Sequence, residues 1–197
     1  MLIAVGGHSR GIGKTSVAAG LIRALPEFRW TAIKITRHGH GERDGTLIEE
    51  HDPLGPGDSS RYLAAGAARA FLLRAPAGRL GDALPALGEA LAASGNAIVE
   101  SNRILEILTP DLYLVVLDFS VPDFKESARR NLCRASAFVL IDRGCARPVW
   151  AELVPLKAVP VFRVAPPEYT CPPLIEFVRG RLSTGAASGT CPLPVTV

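Results

Sequence analysis

The chain contains no long apolar run. Nothing in it approaches the roughly 18 uninterrupted apolar residues that a membrane-spanning helix needs, so no span is expected. No targeting signal is expected at the N-terminus either: residues 1–5 form a short apolar stretch that meets Gly6 and then polar residues, which reads as a first buried strand. A cytoplasmic, soluble protein is therefore the expectation. Charge runs are absent too, because 22 basic and 19 acidic residues are scattered along the chain for a net charge of +3. A nucleic-acid groove would need a concentrated basic face, whereas a few arginines meeting phosphates account for a mild excess. The four cysteines, Cys133, Cys145, Cys171 and Cys191, include no CxxC pair, so zinc and thiol redox chemistry are not indicated and reduced thiols are expected. There is no internal repeat, and no nucleophilic triad or pair of catalytic carboxylates follows from the spacing.

What is present is an alternation. Short apolar runs rich in branched residues recur at 2–5, 31–35, 70–73, 97–100, 112–117, 137–141 and 159–164. Segments of helical character separate them, at 14–25, 59–68, 80–93, 123–134 and 173–182. This pattern predicts an α/β fold of three layers, with a mainly parallel, doubly wound sheet of about seven strands. A length of 197 residues with 48% hydrophobic content suits one domain, here expected over 1–182 with a tail at 183–197. Residues 37–58 are rich in Gly, His and Asp with little periodicity and read as a long loop.

One segment carries a specific chemistry. The first strand runs into Gly6-Gly7-His8-Ser9-Arg10-Gly11-Ile12-Gly13-Lys14-Thr15-Ser16 and then into an amphipathic helix. Strand, glycine-rich loop and helix in that order describe a phosphate-binding loop of the P-loop NTPase kind. Glycines let backbone N–H groups crowd around phosphate oxygens, the helix N-terminus adds partial positive charge, and Lys14 reaches the terminal phosphates. The Thr15 hydroxyl would meet Mg2+. The first position of G-x-x-x-x-G-K-[ST] falls on His8, with Gly6 and Gly7 just before it.

Such a site needs a carboxylate at the end of a neighbouring strand. Glu100, ending the run Ala97-Ile98-Val99, fits, and Asp118 ends the next run in the same manner. Lys34 emerges at the end of the second strand, where open α/β folds bind ligands. His38 and His40 lie two apart and would point the same way on an extended backbone. Asp58 is either a helix N-cap or a Mg2+-water contact. Base contacts have no Asn-Lys-x-Asp to rest on, and the nearest substitute is Asp142-Arg143-Gly144. The nucleotide-contact candidates are thus Ser9, Arg10, Gly11, Ile12, Gly13, Lys14, Thr15, Ser16 and Lys34. Lys14 and Glu100 are the catalytic candidates, and Thr15, Glu100 and Asp58 are the candidates for holding the metal.

Three segments together resemble the molybdopterin-guanine dinucleotide biosynthesis protein B (MobB) family. They are the Gly-Lys-Thr loop, Ile33-Lys34-Ile35-Thr36-Arg37-His38-Gly39-His40, and Asp58-Ser59-Ser60-Arg61-Tyr62-Leu63-Ala64-Ala65-Gly66-Ala67-Ala68, with Val99-Glu100 similar to the family's strand-end Val-Glu. The resemblance implies the dimerising P-loop class that also holds dethiobiotin synthetase and the nitrogenase iron protein. It further implies GTP binding, weak hydrolysis and an accessory role in building the molybdenum dinucleotide cofactor. Gly13, Lys14 and Thr15 carry over as nucleotide contacts and Glu100 as the Mg2+ carboxylate. Ser101 stands in place of the family's glycine after the glutamate, Gly57 in place of its lysine before Asp-Ser, and Ile35 in place of its first histidine after Lys34. The match ends at Asn102. Either ATP or GTP, with Mg2+, is therefore expected, together with a homodimer and the molybdenum cofactor or one of its biosynthetic enzymes as partner. Two rival readings stand beside this one: an ATP-dependent carboxylate-activating synthetase using Lys34 and Arg37 for an acidic substrate, and a non-hydrolysing nucleotide-gated binding module.

Overall fold

Apolar runs without alternation fold as interior strands, because a parallel sheet covered by helices buries both of its faces. The computed structural model describes residues 1–37, 46–76, 78–154 and 159–185. Its sheet is built from β1 (Leu2–Gly7), β2 (Thr31–Thr36), β3 (Leu47–Glu50), β4 (Arg69–Arg74), β5 (Ala97–Glu100), β6 (Leu112–Asp118), β7 (Ala137–Ile141) and β8 (Val161–Val164). The order is β3-β4-β2-β5-β1-β6-β7-β8, with all pairs parallel except β3 with β4.

Successive residues face opposite layers, as a period of two requires. Ile3, Val5, Leu114, Val116, Val139 and Ile141 pack toward α1 (Lys14–Ala24) and α5 (Pro172–Gly185), while α2 (Asp58–Ala64) sends Tyr62 into the same core. Ala4, Val99, Val115, Leu117, Phe138 and Leu140 face the other layer, where α3 (Leu84–Ala92) contributes Leu87 and Ala90. Three layers result, as expected.

Several elements differ from the sequence expectation. The predicted loop 37–58 contains β3, an edge strand whose Glu49 accepts two hydrogen bonds from Arg69 at 2.7 and 2.9 Å. Four half-buried residues on an edge carry too little apolar pattern to announce a strand. The predicted helix 123–134 shrinks to α4 (Glu126–Arg129) and a 3-10 turn at Leu132–Arg134. The segment at 80–93 opens with a 3-10 turn, Leu80–Ala83, because Pro85 suits the first turn of a helix and not its interior. A further 3-10 turn, Asn102–Glu106, follows β5. α2 stops at Ala64, and Gly66 then adopts a φ of +101°, the left-handed conformation that commonly ends helices. No helix among the described residues is long and apolar enough to cross a membrane.

Candidate functional site

β1, β2 and β5 run parallel, so their carboxyl ends open on one side of the sheet. There they line a cleft of about 870 Å³. Its wall carries eight lysines and arginines against three carboxylates, an excess that favours an anionic ligand.

The loop at 8–13 bends tightly because of its glycines. Gly13, the N-cap of α1, has φ +92°, and a Cβ there would come within 2.6 Å of the Tyr169 ring. The loop is also pinned from both sides. Asn102 accepts from Gly7 N–H at 2.8 Å and donates to Gly7 C=O at 2.9 Å, and the Tyr113 hydroxyl donates to the same Asn102 oxygen. A Cβ on Gly6 would sit 2.1 Å from that oxygen, so the glycine there makes room for the clamp. On the other side, His8 is fully buried. Its Nε2 accepts from Asp118 N–H at 3.0 Å while Nδ1 lies 2.7 Å from the Asp123 carbonyl, a pair of partners that calls for a neutral ring with its proton on Nδ1. Burial pushes the His8 pKa below 6.5. Phe124 and Trp150 pack against its ring at 5.2 and 4.7 Å. The position where the phosphate-loop pattern has glycine is thus a structural peg.

Lys14 begins α1 and folds back so that Nζ donates to Ser9 C=O at 2.5 Å. Burial lowers its pKa to about 8; Glu100 opposes this, and Lys125 and Lys34 add to it. An ammonium held this reluctantly gains when an anion arrives. Lys125, which the sequence reading passed over, is lowered by burial and by Arg10, with Arg37 and Lys34 adding to the effect.

A second cluster sits beside the loop. The carboxylate of Glu100, at the end of β5, is buried. Its Oε2 accepts from Thr15 at 2.7 Å and from the Tyr62 hydroxyl, and its Oε1 is paired with Lys34. The Lys34 ammonium also lies 2.8 Å from Asp58 and 3.5 Å from the Thr15 oxygen. Asp58 is the first residue of α2, and Gly57 is the N-cap, so the capping alternative for Asp58 does not hold. Burial works to raise the pKa of Asp58, but Lys34, Thr15 and Arg61 outweigh it and hold the carboxyl below its usual range. Arg61 continues the array by donating to Ser16 at 2.9 Å.

The structure therefore gathers Arg10, Gly11, Gly13, Lys14, Thr15, Ser16, Lys34, Asp58 and Glu100 around one cleft. Ser9 and Ile12 stand apart: the Ser9 side chain donates to Asp123 at 2.6 Å, and Ile12 is fully buried. Their contribution to a ligand is limited to the backbone. Asp118, the rival carboxylate, accepts from Ser120 and pairs with Arg143 at 2.8 Å, away from the cleft. His38 and His40 lie outside the described residues. Among the described residues no group of three His, Cys, Asp or Glu forms a metal centre by itself, and Cys133, Cys145 and Cys171 are free. The reading from sequence missed Tyr62 and Asn102. Both had a signal, since Tyr62 falls one helical turn after Asp58 and Asn102 two residues after Glu100.

No protein-family model matches the chain, and no curated protein sequence matches it. Solved structures do. The chain is similar to LpxK from Aquifex aeolicus in complex with ATP, at 20% identity and a TM-score of 0.50, over 82% of this chain and 53% of that one. With a glycine-rich loop joining the central strand to a helix in a parallel sheet, that likeness decides the fold class. The chain has the P-loop NTPase fold. It is also similar to HypB from Helicobacter pylori in complex with nickel, at 14% identity and a TM-score of 0.49, over 96% of this chain and 90% of that one. The signal recognition particle receptor FtsY from Elizabethkingia anophelis is similar at 15% identity and a TM-score of 0.49, over 92% of this chain and 65% of that one. This chain thus spans about half of LpxK, and at these identities the likeness is one of fold. In this chain the segment 8–13 joins β1 to α1, and Glu100 ends β5, the strand paired with β1.

Proposed function

We propose that the chain is a Mg2+-dependent purine nucleoside triphosphate-binding protein, for GTP or ATP, with slow hydrolysis and an accessory role in molybdenum cofactor biosynthesis. The observation that carries the nucleotide reading is Lys14, half-buried and weakened in its charge, folded over a loop of the P-loop fold in a cleft with a cationic excess. Lys14 and the loop amides would neutralise phosphate charge, and Arg10 and Lys125 extend that field along the cleft. Thr15, Glu100 and Asp58 present hard oxygen donors to one point, the donor set that Mg2+ prefers, so these residues fit the metal. When bound there, Mg2+ would lend charge that offsets the terminal phosphates.

The molybdenum role rests on the resemblance to MobB. Its support is that the segments carrying the resemblance, the loop, the end of β2 and the start of α2, are all lined along the same cleft. A cytoplasmic homodimer acting with a molybdenum cofactor enzyme belongs to this reading. The carboxylate-activating alternative is favoured by one observation: Arg37 and Arg103 add cations to the cleft beyond those beside the loop. Equilibrium binding of ATP and GTP, with and without Mg2+, tests the reading. One purine triphosphate is expected to bind more tightly with Mg2+ than without it, whereas indifference to Mg2+ contradicts the metal assignment. Phosphate release stimulated by small carboxylates would move the function to the synthetase class.

A further inference from the structure

We propose that Lys34 is a resident counter-cation: its ammonium fills the divalent-metal seat of the nucleotide-free protein and leaves when the metal enters. The inference rests on the reading of the cleft as a Mg2+-nucleotide site and adds how that site is kept before loading.

The geometry is that of a cation in an oxygen cage. Lys34 Nζ meets Glu100 Oε1, Asp58 Oδ2 at 2.8 Å and Thr15 Oγ1 at 3.5 Å. Each of these groups is already committed elsewhere in a way that leaves a lone pair for the centre. Thr15 sends its hydroxyl proton to Glu100 Oε2, so its oxygen faces the ammonium as an acceptor. Tyr62 holds the same Oε2, which fixes the carboxylate plane and leaves Oε1 to the cation. Arg61 lies 3.6 Å from Asp58 Oδ1 and leaves Oδ2 to Lys34. The donors that converge on Lys34 are therefore the hard oxygens that a divalent ion would use, already oriented.

Two carboxylates drawn together at the base of a cleft, one of them almost fully buried, repel each other unless a positive charge lies between them. Lys34 supplies that charge in the absence of metal. It is held on a strand and cannot diffuse away, so the cage stays assembled. A divalent ion brings twice the charge and binds the same oxygens, so the two cannot share the seat. The exchange frees an ammonium that already lines the cleft. Lys34 is in this sense a positioning residue for the metal ligands, and it sets a threshold against metal binding without nucleotide.

The test is Mn2+ binding without nucleotide at fixed pH and ionic strength, read by the electron paramagnetic resonance signal of free Mn2+. Lys34→Met is expected to bind one Mn2+ at least tenfold more tightly than the wild type, and adding Glu100→Gln to it is expected to abolish the gain. Equal Mn2+ affinity of wild type and Lys34→Met, or a gain that survives Glu100→Gln, overturns the proposal. The wild type gives a readout independent of how the variants fold. In crystals grown with Mn2+ and a non-hydrolysable triphosphate, the anomalous signal should lie among Thr15, Asp58 and Glu100 with Lys34 displaced. Metal bound while Lys34 stays on Glu100 overturns the proposal equally. Failure of the wild type to bind any triphosphate would strike the nucleotide reading instead, whereas the Mn2+ comparison needs no nucleotide.

Discussion

Lys14 shows how a single residue can be tuned by what surrounds it. Its pKa of about 8 means that the free protein begins to lose this ammonium just above neutrality. A phosphate brought beside it favours the charged form and so pulls a proton in. The sign follows: affinity for a triphosphate weakens as pH rises from 7 through 8, by about tenfold between pH 7 and 9. Calorimetry in buffers of different ionisation enthalpy should report proton uptake at pH 8.5, and no uptake would mean that Lys14 does not meet the phosphates. Asn102 acts through the backbone instead. Asn102→Ala removes two hydrogen bonds to Gly7 and leaves that peptide group under-satisfied, so a loss of about 1–3 kcal/mol in stability is expected. An unchanged denaturation midpoint would show that the clamp does not hold the loop.

At the scale of elements, the loop at 8–13 is only as fixed as the segments it is tied to. His8 joins it to the end of β6 and to 123–124, and the bond pattern requires a neutral ring. Because burial holds the folded pKa below 6.5, the unfolded chain takes up a proton first as pH falls. Stability is therefore present above about pH 6.5 and declines below it. Urea denaturation should show a smaller drop between pH 7 and 5.5 for His8→Phe than for wild type, and equal drops would contradict the peg. The interior strands were legible from sequence because burial on both faces writes a continuous apolar run. β3 was not, since an edge strand needs little apolar content. Its Glu50 also accepts from Ser59 and Ser60 at 3.1 and 2.9 Å, which ties it to the start of α2. α4 was over-read because helical spacing in 123–134 does not reveal that residues 123–125 are spent on the His8 peg and on Ser9.

Across the whole molecule, the sheet order brings four distant stretches of chain to one cleft: the loop after β1, the end of β2, the start of α2 and the end of β5. The loop and the strand-end carboxylate could be read from local pattern, since strand, glycines and helix follow one another directly. The peg and the Lys125 contribution could not, because each joins residues far apart in the chain. The cationic excess of the cleft adds a prediction at this scale. Triphosphate affinity should fall as salt rises from 50 to 500 mM, where charge interactions are screened over shorter distances, and a salt-independent affinity would show that the cationic excess of the cleft does not draw the ligand. The most direct measurement is equilibrium binding of ATP and GTP with Mg2+ to wild type and to Lys14→Ala, the variant's fold checked by circular dichroism. The account predicts at least a tenfold loss of affinity, as expected for one charge-assisted phosphate contact. Equal affinity of the two proteins would contradict it.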